Sequence, residues 1–270
     1  MKGDLKPLKH ELEAHTRDFL TNSFLIRRGN EYRLSHKSIL EYLVAMRLNK
    51  EIESDHPDVF GTFRIEHAVQ NFLEKFKSNT ETLFEWIQST RGGVQRIGPW
   101  LGTNAVNLLI RISPDYLAGK DLSDTTLTKA TLFNADLRGT KLENAQLSGV
   151  SLVDARFFRR DIAFSRIDNA YVSLHVLKTR EFSNDNFFEY VFDKFEEDRE
   201  AEVWPSSFRD DLLWQIDIKV KDIKDLEFLR DELSLALSTK VAIYYEECEE
   251  LAREQDSAKS KRKPRASPKA

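Results

Sequence analysis

A single cysteine, Cys248, stands in 270 residues. That excludes an internal disulfide framework and a zinc cluster built on thiolates. No apolar run approaches the ~18 residues that would span a bilayer as a helix. The charged start, MKGDLKPLKHELEAH, has no signal-peptide apolar core. Charge of one sign is lacking too: 41 Lys and Arg against 45 Asp and Glu leave a net −4, with no bias of the whole chain toward polyanions. Gly119-Lys120 is followed by Asp121, so no phosphate-cradling glycine loop occurs. There is no Gly-x-Ser-x-Gly elbow and no Cys/His pairing. His10-Glu11 and His15 put two imidazoles five residues apart, about 140° round a helix and poorly placed to share a metal. The acidic stretches at Glu196-Glu197-Asp198 and Glu246-Glu247-Cys248-Glu249-Glu250 read as solvated helix faces. The expectation is a cytoplasmic, non-membrane protein with no catalytic residue, no metal and no cofactor.

What is present begins with helical spacing at Leu5, Leu8, Leu12 and Phe19. Two strand-like runs around Gly29-Asn30 predict a β-hairpin. Ser35 stands where an N-cap belongs, and Ile39, Leu40, Leu43, Val44 and Leu48 fall on one face of the helix that follows. Helix, hairpin, helix is the order found in part of a winged-helix domain. Residues 51–113 read as all-helical, with stripes at Ile65, Val69, Phe72, Leu73 and Phe76 and at Leu83, Phe84 and Ile87. Breaks fall at Arg91-Gly92-Gly93 and Ile97-Gly98-Pro99-Trp100. Helical spacing resumes from Thr103 to Ile112, and Pro114 stops it.

A different period takes over next. Leucine recurs at Leu117, Leu122, Leu127, Leu132, Leu137, Leu142, Leu147 and Leu152, and Phe157 continues the series. Ile162, Ile167 and Val172 keep the phase. Small residues stand two before many centres: Ala130, Ala135, Thr140, Ala145, Val150 and Ala155. A period of five fits neither a helix face, at about 3.6, nor a flat strand, at about 2. It fits a square coil with one pentad per side, centre and small residue inward, coils stacked at about 4.8 Å. This is a pentapeptide repeat, expected to make a right-handed quadrilateral β-solenoid of three coils that acts as scaffold and needs capped ends.

Beyond the repeat, Phe187, Phe188, Val191, Phe192 and Phe195 have helical spacing. Trp214, Ile216, Ile218 and Val220 alternate with polar residues as a half-buried strand. Asp222 is placed to cap a helix with a stripe at Leu226, Leu229, Leu233 and Leu237, and Val241 to Tyr245 reads as a further strand. These predict a βαβ unit. The last stretch carries Lys259, Lys261, Arg262, Lys263, Arg265 and Lys269 without large apolar residues and is expected to be disordered. Its charge permits at most weak, salt-sensitive nucleic-acid contact. The fold class is therefore multidomain α+β: a winged-helix-like part (1–50), a helical arm (51–114), the repeat (115–172), an α/β domain (173–256) and a basic tail (257–270).

The run Tyr32-Arg33-Leu34-Ser35-His36-Lys37-Ser38-Ile39-Leu40-Glu41-Tyr42-Leu43-Val44-Ala45 resembles the end of the winged-helix domain in NACHT-type STAND ATPases, with Ile39 where that family usually has Phe. Gly102 to Leu109, followed by Leu117 to Ser123, resembles the segment joining such ATPases to pentapeptide repeats. The α/β unit is similar in position to the C-terminal domains of bacterial NACHT conflict proteins. The resemblance implies that the chain is the C-terminal part of a longer protein whose ATPase domain lies elsewhere. It also implies that His36 takes the place of a histidine that reaches the β-phosphate of bound ADP, a bond an imidazole can donate. Within this chain alone the alternative is that His36 packs near the start of its helix.

Two function classes follow, with a third behind them. One is a sensing and protein-interaction module in bacterial signalling or antiphage defence, with an upstream ATPase domain or a phage component as partner. The other is a free-standing repeat protein that mimics DNA and binds a topoisomerase, which needs a strongly acidic surface. From Asp115 to Arg159 six acidic residues are matched by six basic ones, so that surface is neutral. An enzyme in the α/β domain has no motif behind it.

Overall fold

The computed structural model describes residues 25–28, 31–34, 36–93, 97–178, 187, 203–205 and 213–261. The expected helices at 1–20 and 185–195 fall outside these residues, apart from Phe187. Strands β1 (Leu25–Arg28) and β2 (Glu31–Leu34) pair antiparallel as the expected hairpin. Helix α1 (Lys37–Ser54) follows, and its N-cap is His36, one residue beyond the predicted Ser35. Its buried stripe is Ala45, Leu48, Glu51 and Ile52, rotated from the predicted face. Leu40 and Leu43 are 50% and 48% exposed. The rotation follows from α2 (His67–Lys75), whose Phe72 and the neighbouring Phe76 take Tyr42 edge-on at 5.6 and 5.9 Å.

Helices α3 (Thr80–Gln88) and α4 (Leu101–Ile112) complete the arm. Asn79 caps α3 by accepting from the Glu81 and Thr82 amides. Helix α4 starts two residues before the predicted Thr103, and every residue from Leu101 to Ile110 is buried. Its polar members are therefore bonded. Asn104 accepts from the Ile65 amide at 3.0 Å and donates to the Phe60 and Phe63 carbonyls at 2.7 Å. Trp86 lies edge-on to Phe60 at 5.0 Å and donates to Asp55 at 2.7 Å.

The repeat is a ladder of single parallel bridges and turns, with one two-residue strand, β3 (Ser151–Leu152), and not a closed solenoid of continuous strands. Its bridges join residues twenty apart on four sides: Asp121 to Lys141, Thr126 to Gln146 to Arg166, Thr131 to Ser151, and Asp136 to Arg156. Each leucine centre from Leu117 to Leu152 has its carbonyl accept from the amide three residues on, as in Ala130 to Leu127 and Ala135 to Leu132. The residue between has a positive φ, at Gly119, Asp124, Lys129, Asn134, Gly139, Asn144, Gly149 and Asp154. That is the type II turn geometry, which favours Gly, Asn and Asp at this corner. All nine centres from Leu117 to Phe157 are at most 1% exposed. At about 1.5–3 kcal/mol for each large apolar side chain removed from water, this row is the principal stabilising element of the segment. The small partners Ala130, Ala135, Thr140, Ala145 and Val150 are buried beside them.

A short helix, α5 (Arg159–Ile162), replaces one corner, yet Ile162 still enters the core. Strand β4 (Asp168–Leu177) then pairs parallel with β3 through Tyr171 and Val172 and runs on across position 172. It is the centre of a small mixed sheet ordered β3-β4-β6-β5, with β7 on the β3 edge. Strand β5 is Val203–Pro205, β6 is Leu213–Asp222 and β7 is Val241–Ala242. Both β6 and β7 are antiparallel to β4 and lie on opposite sides of it. The predicted βαβ unit is thus split, with β4 between its two strands and helix α6 (Ile223–Ala236) as the crossover. Leu226, Leu229, Leu233 and Leu237 are all buried. The second strand is shorter than predicted: it ends at Ala242, and Tyr245 already begins α7 (Tyr245–Lys261). Helix α7 carries on past Ser257 into the segment expected to be a disordered tail, and residues 262–270 lie outside the described ones. Among the described residues no helix is long and apolar enough to cross a membrane.

Candidate functional site

A stacked ladder exposes unpaired backbone at both ends, an invitation to aggregation unless covered. At the N-terminal end the cover is made mostly of side chains from the arm, with two backbone groups beside them. Gln88 and Arg91 donate to the Asp121 carbonyl at 2.7 and 2.9 Å, and the Gly92 amide donates to Asp124. Thr90 accepts from the Thr126 amide at 3.1 Å, and Thr103 donates to the Thr128 carbonyl at 2.8 Å. Asn107 accepts from the Thr131 amide at 2.7 Å, and the Pro114 carbonyl accepts from Asp136. Such contact needs α4 to lie close. A Cβ at Gly102 would stand 2.4 Å from the Thr126 carbonyl oxygen, so this buried helix position has no room for a side chain.

At the C-terminal end the cover is mainly backbone, with one carboxylate beside it. The Tyr171 amide donates to Val150 at 2.9 Å, which makes β4 the next rung of the Thr131 side. Asp161 accepts from the Gly139 amide at 3.0 Å and the Phe158 amide at 2.9 Å, standing in for a carbonyl where α5 interrupts the corner. The start of α7 is riveted to the same end. The Tyr245 amide donates to the Phe157 carbonyl at 3.0 Å, and Tyr244 and Tyr245 lie edge-on to Phe157 and Phe158. Tyr244 donates to Glu227 at 2.9 Å, and burial followed by that carboxylate pushes its phenol well up. Arg138 sits 4.5 Å over the Tyr245 ring and pairs with buried Asp136, which Arg156 also approaches. The Arg138 hydrogen bond, ahead of Coulombic attraction to Arg156, holds the Asp136 carboxyl below the usual range. Burial, then the neighbouring Glu247 and Glu246, pushes the Cys248 thiol up to about 12, which favours its protonated form.

Between α2, the end of α4 and the first coil lies a cleft of about 920 Å³. Arg111 holds its wall, donating to Glu74 at 2.8 Å and to Asn71 at 2.5 Å, with His67 Nε2 at 3.1 Å. Phe133, half exposed, forms the opposite rim. The sequence did not single out these residues. The signal that could have found Phe133 is a large aromatic at an outward position of the repeat, between the buried Leu132 and the corner Asn134.

His36 is exposed at the start of α1 and makes no capping bond. The structure does not bring it together with the ladder residues from Leu117 to Phe157, which form one row. Among the described residues no group of three or more His, Cys, Asp or Glu could hold a metal ion.

Residues 121–157 match the family model of pentapeptide repeats, in eight copies. No curated protein matches the chain, and no solved structure does. Repeats of this kind commonly mediate protein interactions, and that is the function class the match supports. The bridges extend the repeat's phase beyond the matched segment, to Arg166 and Tyr171.

Proposed function

We propose that this chain is a non-catalytic regulatory and protein-interaction module that works with a NACHT-type STAND ATPase region in bacterial signalling or antiphage defence. In this reading the repeat is a right-handed quadrilateral coil, the middle of a sensor arm. The observation that carries it is continuity. Side-chain bonds from α3 and α4 join the arm to the first coil, and β4 joins the last coil to the C-terminal sheet. A stack bonded at both ends transmits displacement between them instead of absorbing it. The exposed His36, whose side chain makes no capping bond at its helix N-terminus, is placed to donate to a phosphate presented by an adjoining ATPase region.

The test is to join the chain to the adjacent ATPase region and titrate ADP by calorimetry, with and without His36→Ala. The reading expects ADP binding that weakens about tenfold, or about 1.4 kcal/mol, in the variant. A rejoined protein that binds neither ATP nor ADP sinks it.

A further inference from the structure

The N-terminal cover of the ladder is least complete on the Thr131 side; the Thr126 carbonyl, also without a donor among the described residues, is closed off by Gly102. On the Asp121 and Thr126 sides, carbonyls of the first coil receive donors from Gln88, Arg91, Gly92 and Thr103. On the Thr131 side only the Thr131 amide is met, by Asn107. Among the described residues no donor reaches the Thr131 or Phe133 carbonyl. Both residues lie on the cleft.

Two nearly buried amides line the same cleft with one end used and the other free. Asn107, 4% exposed, spends its oxygen on Thr131. Gln70, 8% exposed, spends its nitrogen on the Ile65 carbonyl at 2.9 Å. The Asn107 nitrogen and the Gln70 oxygen have no partner among the described residues, and neither is sealed off from solvent. They offer one donor and one acceptor, the complement of a peptide group.

We propose that this cleft binds an extended peptide segment of a partner protein, added as a missing rung on the Thr131 side and carrying an acidic side chain. The proposal rests on the chain being a protein-interaction module. Unpaired carbonyls on a ladder edge call for the regularly spaced N–H groups of an extended backbone. The acidic side chain follows from the charges in the wall. Glu74 is taken by Arg111 and Glu66 by Lys37, whereas exposed Arg64 has no ion pair among the described residues. The half-exposed Phe133 ring gives a neighbouring apolar side chain a place to pack.

The test selects a phage-displayed library of random nonapeptides on the full chain and resynthesises the enriched sequences for fluorescence polarisation. Enriched peptides should share an Asp or Glu. Arg64→Ala and Phe133→Ser should each weaken them about tenfold, with folding verified by circular dichroism since both residues are exposed. N-methylation of the peptide should abolish binding at alternate residues and spare those between. The proposal is overturned if no sequence is enriched, if both variants bind as tightly as the parent, or if N-methylation has no alternating pattern. ADP titration of the rejoined protein reads a different site, so failure here and failure of the nucleotide reading are distinguishable.

Discussion

The two ends of the ladder are covered by different means. The arm covers the N-terminal end atom by atom, with Thr90, Thr103, Asn107 and Gln88 each reaching one backbone group. The sheet covers the C-terminal end by continuing it, since β4 is at once the last rung and the central strand of the next unit. Side chains can meet only the groups they reach, so that end keeps an open side. A continued backbone leaves none where it pairs. The comparison teaches where recognition belongs: at the end whose cover is incomplete, while the opposite end serves as anchor.

Three substitutions bear on that comparison. The largest effect is expected from Leu142→Ala, in the middle coil and 1% exposed, at about 2–5 kcal/mol of lost stability. In urea, the amide signals of the arm and those of the sheet should fall together. Separate transitions would mean that the two ends are not coupled through the coil. Gly102→Ala should come next, at about 1–3 kcal/mol, because the new Cβ meets a backbone oxygen that cannot move without the first coil. Its damage should be largest at the N-terminal end, seen as a greater gain in amide exchange at Thr126 and Thr131, which bond to arm side chains, than at Tyr171.

The smallest effect should be Asp136→Asn, read as pH dependence. The folded-state carboxyl is held below the unfolded value of about 3.9. Its stabilisation is therefore complete above that value and is lost as pH falls through the depressed folded-state value. The parent should lose melting temperature on acidification more steeply than the variant. Parallel acid limbs would mean that the Arg138 pairing is worth nothing to the fold.

Much of this was legible because period five is a backbone property of the repeat. Each leucine centre had only one place to go, and the row from Leu117 to Phe157 is buried throughout. The alternation in β6 and the leucine stripe of α6 were equally local signals. What local signals could not carry was the partner across space. The face of α1 turned because Phe72 and Phe76 took Tyr42, and β7 shortened because Tyr244 and Tyr245 docked on Phe157 and Phe158. Asn107 looked like an ordinary member of a helix, and Gly102 stood just outside its predicted start. Their roles arise only when α4 lies across the first coil. The left-handed corners from Gly119 to Asp154 follow a Gly, Asn and Asp series, with Lys129 as its exception, a signal that the leucine period and the small residues did not include.

The central claim is that ladder and sheet are one stack. Residue-resolved hydrogen exchange tests it most directly. The amides of Leu132, Leu147 and Tyr171, bonded to Ser151, Arg166 and Val150, should exchange with one common opening free energy, shared with Ile218 of β6. Ladder amides that open at distinctly lower free energy than those of β4 and β6 would contradict it.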